Sequence, residues 1–197
     1  MSHQVIELEC PGCAASISTS TKTCPYCYKP IVISTFNSVH SMPPIEINKR
    51  ANAYRKALVN HPDNQDLNMS VAFCYLKLKL YDKALPCFEK AIKDNFDNSE
   101  VYFYAAICLL KGKKPFLTPR TVIDKIEEYL QAAIMIEPKG IYYYMWSYVR
   151  HDHHYRKCYV MDPDYAELYQ QAEQAGLSQT DVEELFSILG VDRPDAL

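Results

Sequence analysis

Three features of the sequence predict a mostly α-helical chain, a short solenoid of helical hairpins behind a small N-terminal β module. Two C-x-x-C steps stand within the first 27 residues, an apolar pattern with helical spacing recurs from Ile45 onward, and there are only five glycines in 197 residues. Sixteen tyrosines beside so few glycines favour packed helices over the Gly-rich loops of many enzymes. With 48% hydrophobic residues the chain can bury one or two ordinary cores. A formal charge of −3 supplies no field to gather nucleic acid or to hold the chain on an anionic membrane. No apolar run approaches the roughly 20 residues that cross a bilayer. The opening MSHQVIELEC lacks the basic and hydrophobic regions of a secretion signal, so the cytoplasm is the expected location.

The eight cysteines fall into two populations: CPGC and CPYC, at Cys10, Cys13, Cys24 and Cys27, and four singles at Cys74, Cys87, Cys108 and Cys158. In a reducing compartment paired C-x-x-C steps serve as metal ligands or redox centres. A redox pair works alone beside a helix, whereas two steps separated by ten residues offer four thiolates to one tetrahedral ion. Pro11 and Pro25 fix φ after the first cysteine of each step, and the tight turn that follows points backbone N–H groups at sulfur. Val5 to Glu9, Ser16 to Thr21 and Ile31 to Ile33 are short β-prone segments that read as strands.

Residues 1–35 therefore resemble a zinc ribbon, with Ala14 and Tyr28 where a glycine often follows the knuckle. The resemblance implies one structural Zn2+ on Cys10, Cys13, Cys24 and Cys27, whose binding free energy becomes folding free energy. Iron in the same cage would make an electron carrier, and catalytic zinc would exchange one ligand for water. Lys22 and Lys29 are the only basic residues before residue 45, too few for a phosphate-tracking face. A linker is expected over 36–44, where Ser, Asn and Pro43-Pro44 break regular structure. The helical domain then spans 45–197.

Within residues 65–98, Val71, Ala72 and Tyr75 share one helix and Ala84, Phe88 and Ala91 a second. Small residues let the pair approach while large ones fill the space beside them. Tyr54, Ala57, Leu58 and Pro62 precede in the same register, and Tyr102, Ala105, Ala106 and Leu109 recur 34 residues after Asn68, Val71, Ala72 and Tyr75. These positions resemble the tetratricopeptide (TPR) repeat, with Asn68 for the usual Trp and Phe96 for the usual Pro. Leu130, Ala133, Ile134 and Pro138 complete the downstream unit after an inserted loop around KGKKPFLTPR. Beyond Pro138, IYYYMWSYVR is a further first helix, and only Ser147 offers a small residue for its crossing. Tyr165 to Ala175 and Val182 to Leu189 read as capping helices, the second started by Ser178 and stopped by Gly190.

No phosphate loop, nucleophile elbow or H-E-x-x-H motif occurs, so a non-enzyme is expected. His151, His153 and His154 with Cys158 carry enough donors for a transition metal, but their spacing fits no known site and a wet histidine-rich loop is the expected reading. Cys74, Cys87 and Cys108 lie in helices, where free thiols act as small buried hydrophobes. The TPR resemblance implies a groove lined by first helices, with Met69, Phe73, Phe103 and Ile107 facing a partner segment and Lys77 and Lys111 at its edge. The same aromatics would equally serve as core. The resemblance thus implies an adaptor for a protein or peptide. The alternative is a ribbon protein with a thiol-redox or nucleic-acid-linked role, whose repeats only scaffold it.

Overall fold

The computed structural model describes residues 6–18, 20–94 and 96–195. The chain divides into two compact units, Met1–Asp94 and Asn95–Leu197. In the first, strands β1 (Glu7–Glu9) and β2 (Ser16–Ser18) pair antiparallel with Leu8 opposite Ile17, both turned inward. Val5 and Thr19, at the edges of two expected strands, lie outside the described residues. The third expected strand does not form. Ile31 and Ile33 are buried, but helix side chains take the polar groups a neighbouring strand would have used. Tyr54 Oη donates to the Ile31 carbonyl at 2.8 Å, Ile33 N–H donates to Ser70 Oγ at 2.9 Å, and Arg50 Nη1 donates to the Pro30 carbonyl at 2.9 Å.

The stretch 36–44, read from composition as a linker, contains a helical turn, α1 (Asn37–His40). Phe36 and Val39 are buried, and the Phe36 ring lies 6.5 Å from that of Phe73. Two apolar anchors thus outweigh the Ser and Pro around them. Helix α2 (Pro44–Asn60) starts with proline in its first turn, where the missing N–H costs nothing. Helices α3 (Gln65–Lys77) and α4 (Tyr81–Asp94) form the first hairpin. Asn64 caps α3 by accepting from Leu67 N–H at 3.0 Å. Ala72, Ala84 and Phe88 are completely buried, as the small-against-large pattern requires. Asn68 occupies a buried site by donating to the carbonyls of Asn64 and Pro62 at 2.8 and 3.0 Å.

In the second unit α5 (Ser99–Leu110) packs against α6 (Arg120–Ile136), burying Ala105, Ala106, Ile123, Ile126, Leu130 and Ala133. The inserted loop between them carries one 3-10 turn, Pro115–Leu117. Helix α7 (Gly140–Val149) packs on α8 (Tyr165–Gln174), so α8 is the second helix of a hairpin. Ser147 is buried and donates to the Tyr165 carbonyl at 2.6 Å. It shares the small-residue role with Gly140, where a Cβ would come within 2.5 Å of Leu177 N and 2.7 Å of the Ala172 carbonyl. Helix α9 (Gln179–Leu189) begins at Ser178, which accepts from Asp181 N–H at 3.1 Å, and stops at Gly190 with φ 70°. It packs on α5 and α7. The fold is mostly α, a helical-repeat solenoid with a short N-terminal two-stranded sheet.

Phe73→Ala is expected to lower the unfolding free energy by about 3–5 kcal/mol in a urea titration, because the ring is fully enclosed. Gly140→Ala should also destabilise the chain, since the new methyl meets backbone rather than a side chain able to move.

Candidate metal centre and partner surface

Each C-x-x-C step closes a tight turn: Ala14 N–H donates to the Cys10 carbonyl and Tyr28 N–H to the Cys24 carbonyl, both at 2.9 Å. Ala14 and Tyr28 adopt the left-handed conformation at φ 62° and 58°, which explains why glycine suits these positions. Gly12 N–H points at Cys10 Sγ at 3.4 Å. A Cβ on Gly12 would lie 3.1 Å from Cys27 Sγ, so its absence keeps room at the sulfurs.

The four Sγ atoms lie within 4.8 Å of one another, with Cys10 to Cys27 at 3.6 Å and Cys13 to Cys24 at 3.7 Å. Zn–S bonds of about 2.3 Å in a tetrahedron separate neighbouring sulfurs by about 3.8 Å, so the cluster fits a four-thiolate ion. Desolvation opposes charge on Cys24, but the N–H groups of Cys27 and Tyr26, together with the Cys10 and Cys27 thiols, outweigh it and pull the thiol down to about 6. At Cys13 the Ala15 N–H favours the thiolate, yet desolvation and the neighbouring sulfurs leave this group holding a proton, up at about 12. A metal ion held by these four sulfurs would take them as thiolates, so its binding would release protons.

The residues expected to line a groove divide sharply. Phe73 is buried, its ring 5.7 Å from Phe88. Phe103 is buried beside Tyr142 at 4.8 Å, and Ile107 is buried too. All three are core, because the repeat turns its large residues into the space left by its small ones. Met69 and Lys77 are half-buried, and Lys111 is exposed at the left-handed end of α5.

A second concentration of chemistry lies where a wet histidine loop was one expectation. After α7 the chain makes a π-helical turn, Arg150–His154, and His151, Asp152, His153 and His154 are all buried. The loop is dry because Glu127 of α6 anchors it: Arg150 Nε and Nη2 donate to the two carboxylate oxygens at 2.8 and 3.0 Å. His154 Nε2 lies 3.0 Å from Glu127 Oε1, and Asp152 accepts from Phe116 N–H at 2.8 Å and from Arg156. Cys158 is exposed, and among the described residues only the four ribbon cysteines converge as three or more metal-ligand atoms. Sequence reasoning missed Glu127. Its signal was its place on the apolar face of α6 with Ile123, Ile126 and Leu130, where a carboxylate needs a partner.

No family model and no curated protein matches the sequence. Similarity appears in solved structures, among them several of the protein MamA. One is residues 41 to the end of MamA from Desulfovibrio magneticus RS-1, with TM-score 0.53 and 17% identity, covering 74% of this chain and 77% of that one. MamA of AMB-1 gives 0.52 at 14% identity over 72% and 78%, and MamA of MSR-1 gives 0.51 at 15% over 72% and 76%. At such identities the likeness shows the fold, a TPR-like stack of helices. No described helix is long and apolar enough to cross a membrane.

Titration with Co2+ should saturate at one ion per chain with thiolate-to-cobalt absorption bands, and Cys24→Ser should weaken binding and loosen the ribbon. A second expectation concerns acid. Desolvation lowers the pKa of His151, His153 and His154, that of His153 to about 4, while free imidazoles titrate near 6.5. The unfolded chain then binds more protons below about 6.5, so stability present above that pH is lost as pH falls toward about 4. Thermal melts across this range should show the decline, with a shallower slope for His153→Gln.

Proposed function

We propose that this chain is a non-enzymatic adaptor whose helical hairpins hold a segment of a partner protein and whose ribbon carries one structural Zn2+. The observation that carries the reading is the TPR-like fold itself, a scaffold whose helices present side chains in a regular row. A structural rather than a catalytic ion is favoured because four sulfurs this close can complete a tetrahedron with no position left for substrate or water, and zinc is the ion that the ribbon resemblance implies. The cytoplasmic location expected from the sequence suits such a thiolate site.

Of the expected set, Met69 and Lys77 on α3 are accessible and form the recognition surface of the first unit, while Lys111 at the end of α5 is an exposed position of the second unit, taken by itself. A partner segment with an apolar residue and an acidic group complements them.

The test is capture from native lysate with the full zinc-loaded chain as bait. A partner retained by the wild type and lost with Met69→Asp or Lys77→Glu, at unchanged melting temperature, is the expected outcome. Retention by both variants at wild-type level would refute this surface. Phe73→Asp is expected to fail by unfolding, which circular dichroism will separate from loss of contact.

A further inference from the structure

Between α7 and α8 the chain builds a cleft of about 390 Å³, within the size range of small-ligand sites. Its walls include Tyr155, Tyr159 and Tyr165, with Arg150 and His154 deeper and Asp164 at one side. Tyr155 is 59% and Tyr159 52% exposed, unusual for large rings beside a buried polar cluster. Tyr155 and Tyr165 stand 5.0 Å apart at 58°, two walls of a corner. His151 fixes both from behind, stacked on Tyr155 at 5.6 Å and edge-on to Tyr165 at 4.9 Å. The corner is therefore set in advance of any ligand.

The charges around the cleft say what it would accept. Arg150 is matched by the bidentate Glu127, Arg120 by Asp124 at 2.7 Å, and Arg156 by Asp152. Asp162 and Asp164 are paired with no basic side chain among the described residues. Asp164 Oδ1 accepts from the N–H groups of Ala166 and Glu167, leaving its other oxygen without a protein donor. Lys157, whose Nζ lies over the Phe116 ring at 5.0 Å, is the one unmatched cation nearby among the described residues, so two aspartates against one lysine leave a slightly acidic balance, and the aromatic faces add negative quadrupoles. Tyr159 already attracts one cation: Arg120, which does not line the cleft, sits 5.8 Å from its ring centroid.

We propose that this cleft binds an alkylated ammonium group, enclosed by Tyr155, Tyr159 and Tyr165 and balanced by Asp164. Ring faces meet the methyl groups while the acidic side compensates the charge, which an uncharged group of the same shape would not exploit. The group would come either from a methylated lysine on a protein or from a small quaternary amine.

The test follows the three tyrosine ring resonances of the intact zinc-loaded chain during titration with choline, its uncharged isostere 3,3-dimethylbutan-1-ol, and a trimethyllysine peptide. Saturable shifts with choline or the peptide are expected, at least about tenfold weaker with the alcohol. Tyr159→Leu should weaken binding about tenfold at unchanged melting temperature, and Tyr159→Phe should retain it. Tighter binding of the peptide identifies a protein side chain as the source, and tighter binding of choline a free amine. Equal binding of choline and the alcohol, or no saturation by either ammonium ligand, would overturn the proposal.

Discussion

Close approach of paired helices is the constraint on which this structure depends. Two helical backbones come within about 8–10 Å only where side chains at the crossing are small. Ala72 and Ala84 meet that need in the first hairpin, and Gly140, Ala172 and Ser147 in the last. Once the crossings are fixed, space opens beside them that only large residues can fill. Phe73, Phe88 and Phe103 go there because a void would cost more than their ordering. The inward direction of these rings is thus a consequence of the alanines, and the surface left for recognition is what lies beyond both.

The second unit adds a buried polar network to that scheme. A carboxylate, a guanidinium and two imidazoles share a volume with little water, a costly arrangement unless each group finds a partner. Glu127 satisfies Arg150 with both oxygens and still touches His154. The payoff is geometric. The turn after α7 is held against α6, and the tyrosines that follow emerge at defined angles rather than from a loose loop.

Much of this was legible in the residues. The paired C-x-x-C spacing revealed the sulfur cluster, and the alternation of Ala with Tyr and Phe revealed the hairpins, because both are local patterns with one physical meaning. The caps at Ser178 and Gly190 were equally readable. What escaped depended on distant partners. Ile31 to Ile33 has the composition of a strand, yet its backbone partners are Tyr54 and Ser70, far along the chain. Phe36 and Val39 were hidden among linker residues, and Arg150 to His154 reads as wet until Glu127 is placed opposite. Phe73, Phe103 and Ile107 lie in the core for a related reason: a register identifies the helix face, but burial depends on what covers it.

The bonds from Arg50, Tyr54 and Ser70 to residues 30–33 bear on how the chain can be dissected. A fragment beginning at residue 45 would leave a buried guanidinium, a tyrosine hydroxyl and a serine without the backbone partners they bond in residues 30–33. Such a deletion removes part of the interior of the first unit, not an appended tag. Lost activity in that fragment would report a damaged core before it reported a missing metal, so point substitutions at single sulfurs are the cleaner genetic probe of the ribbon.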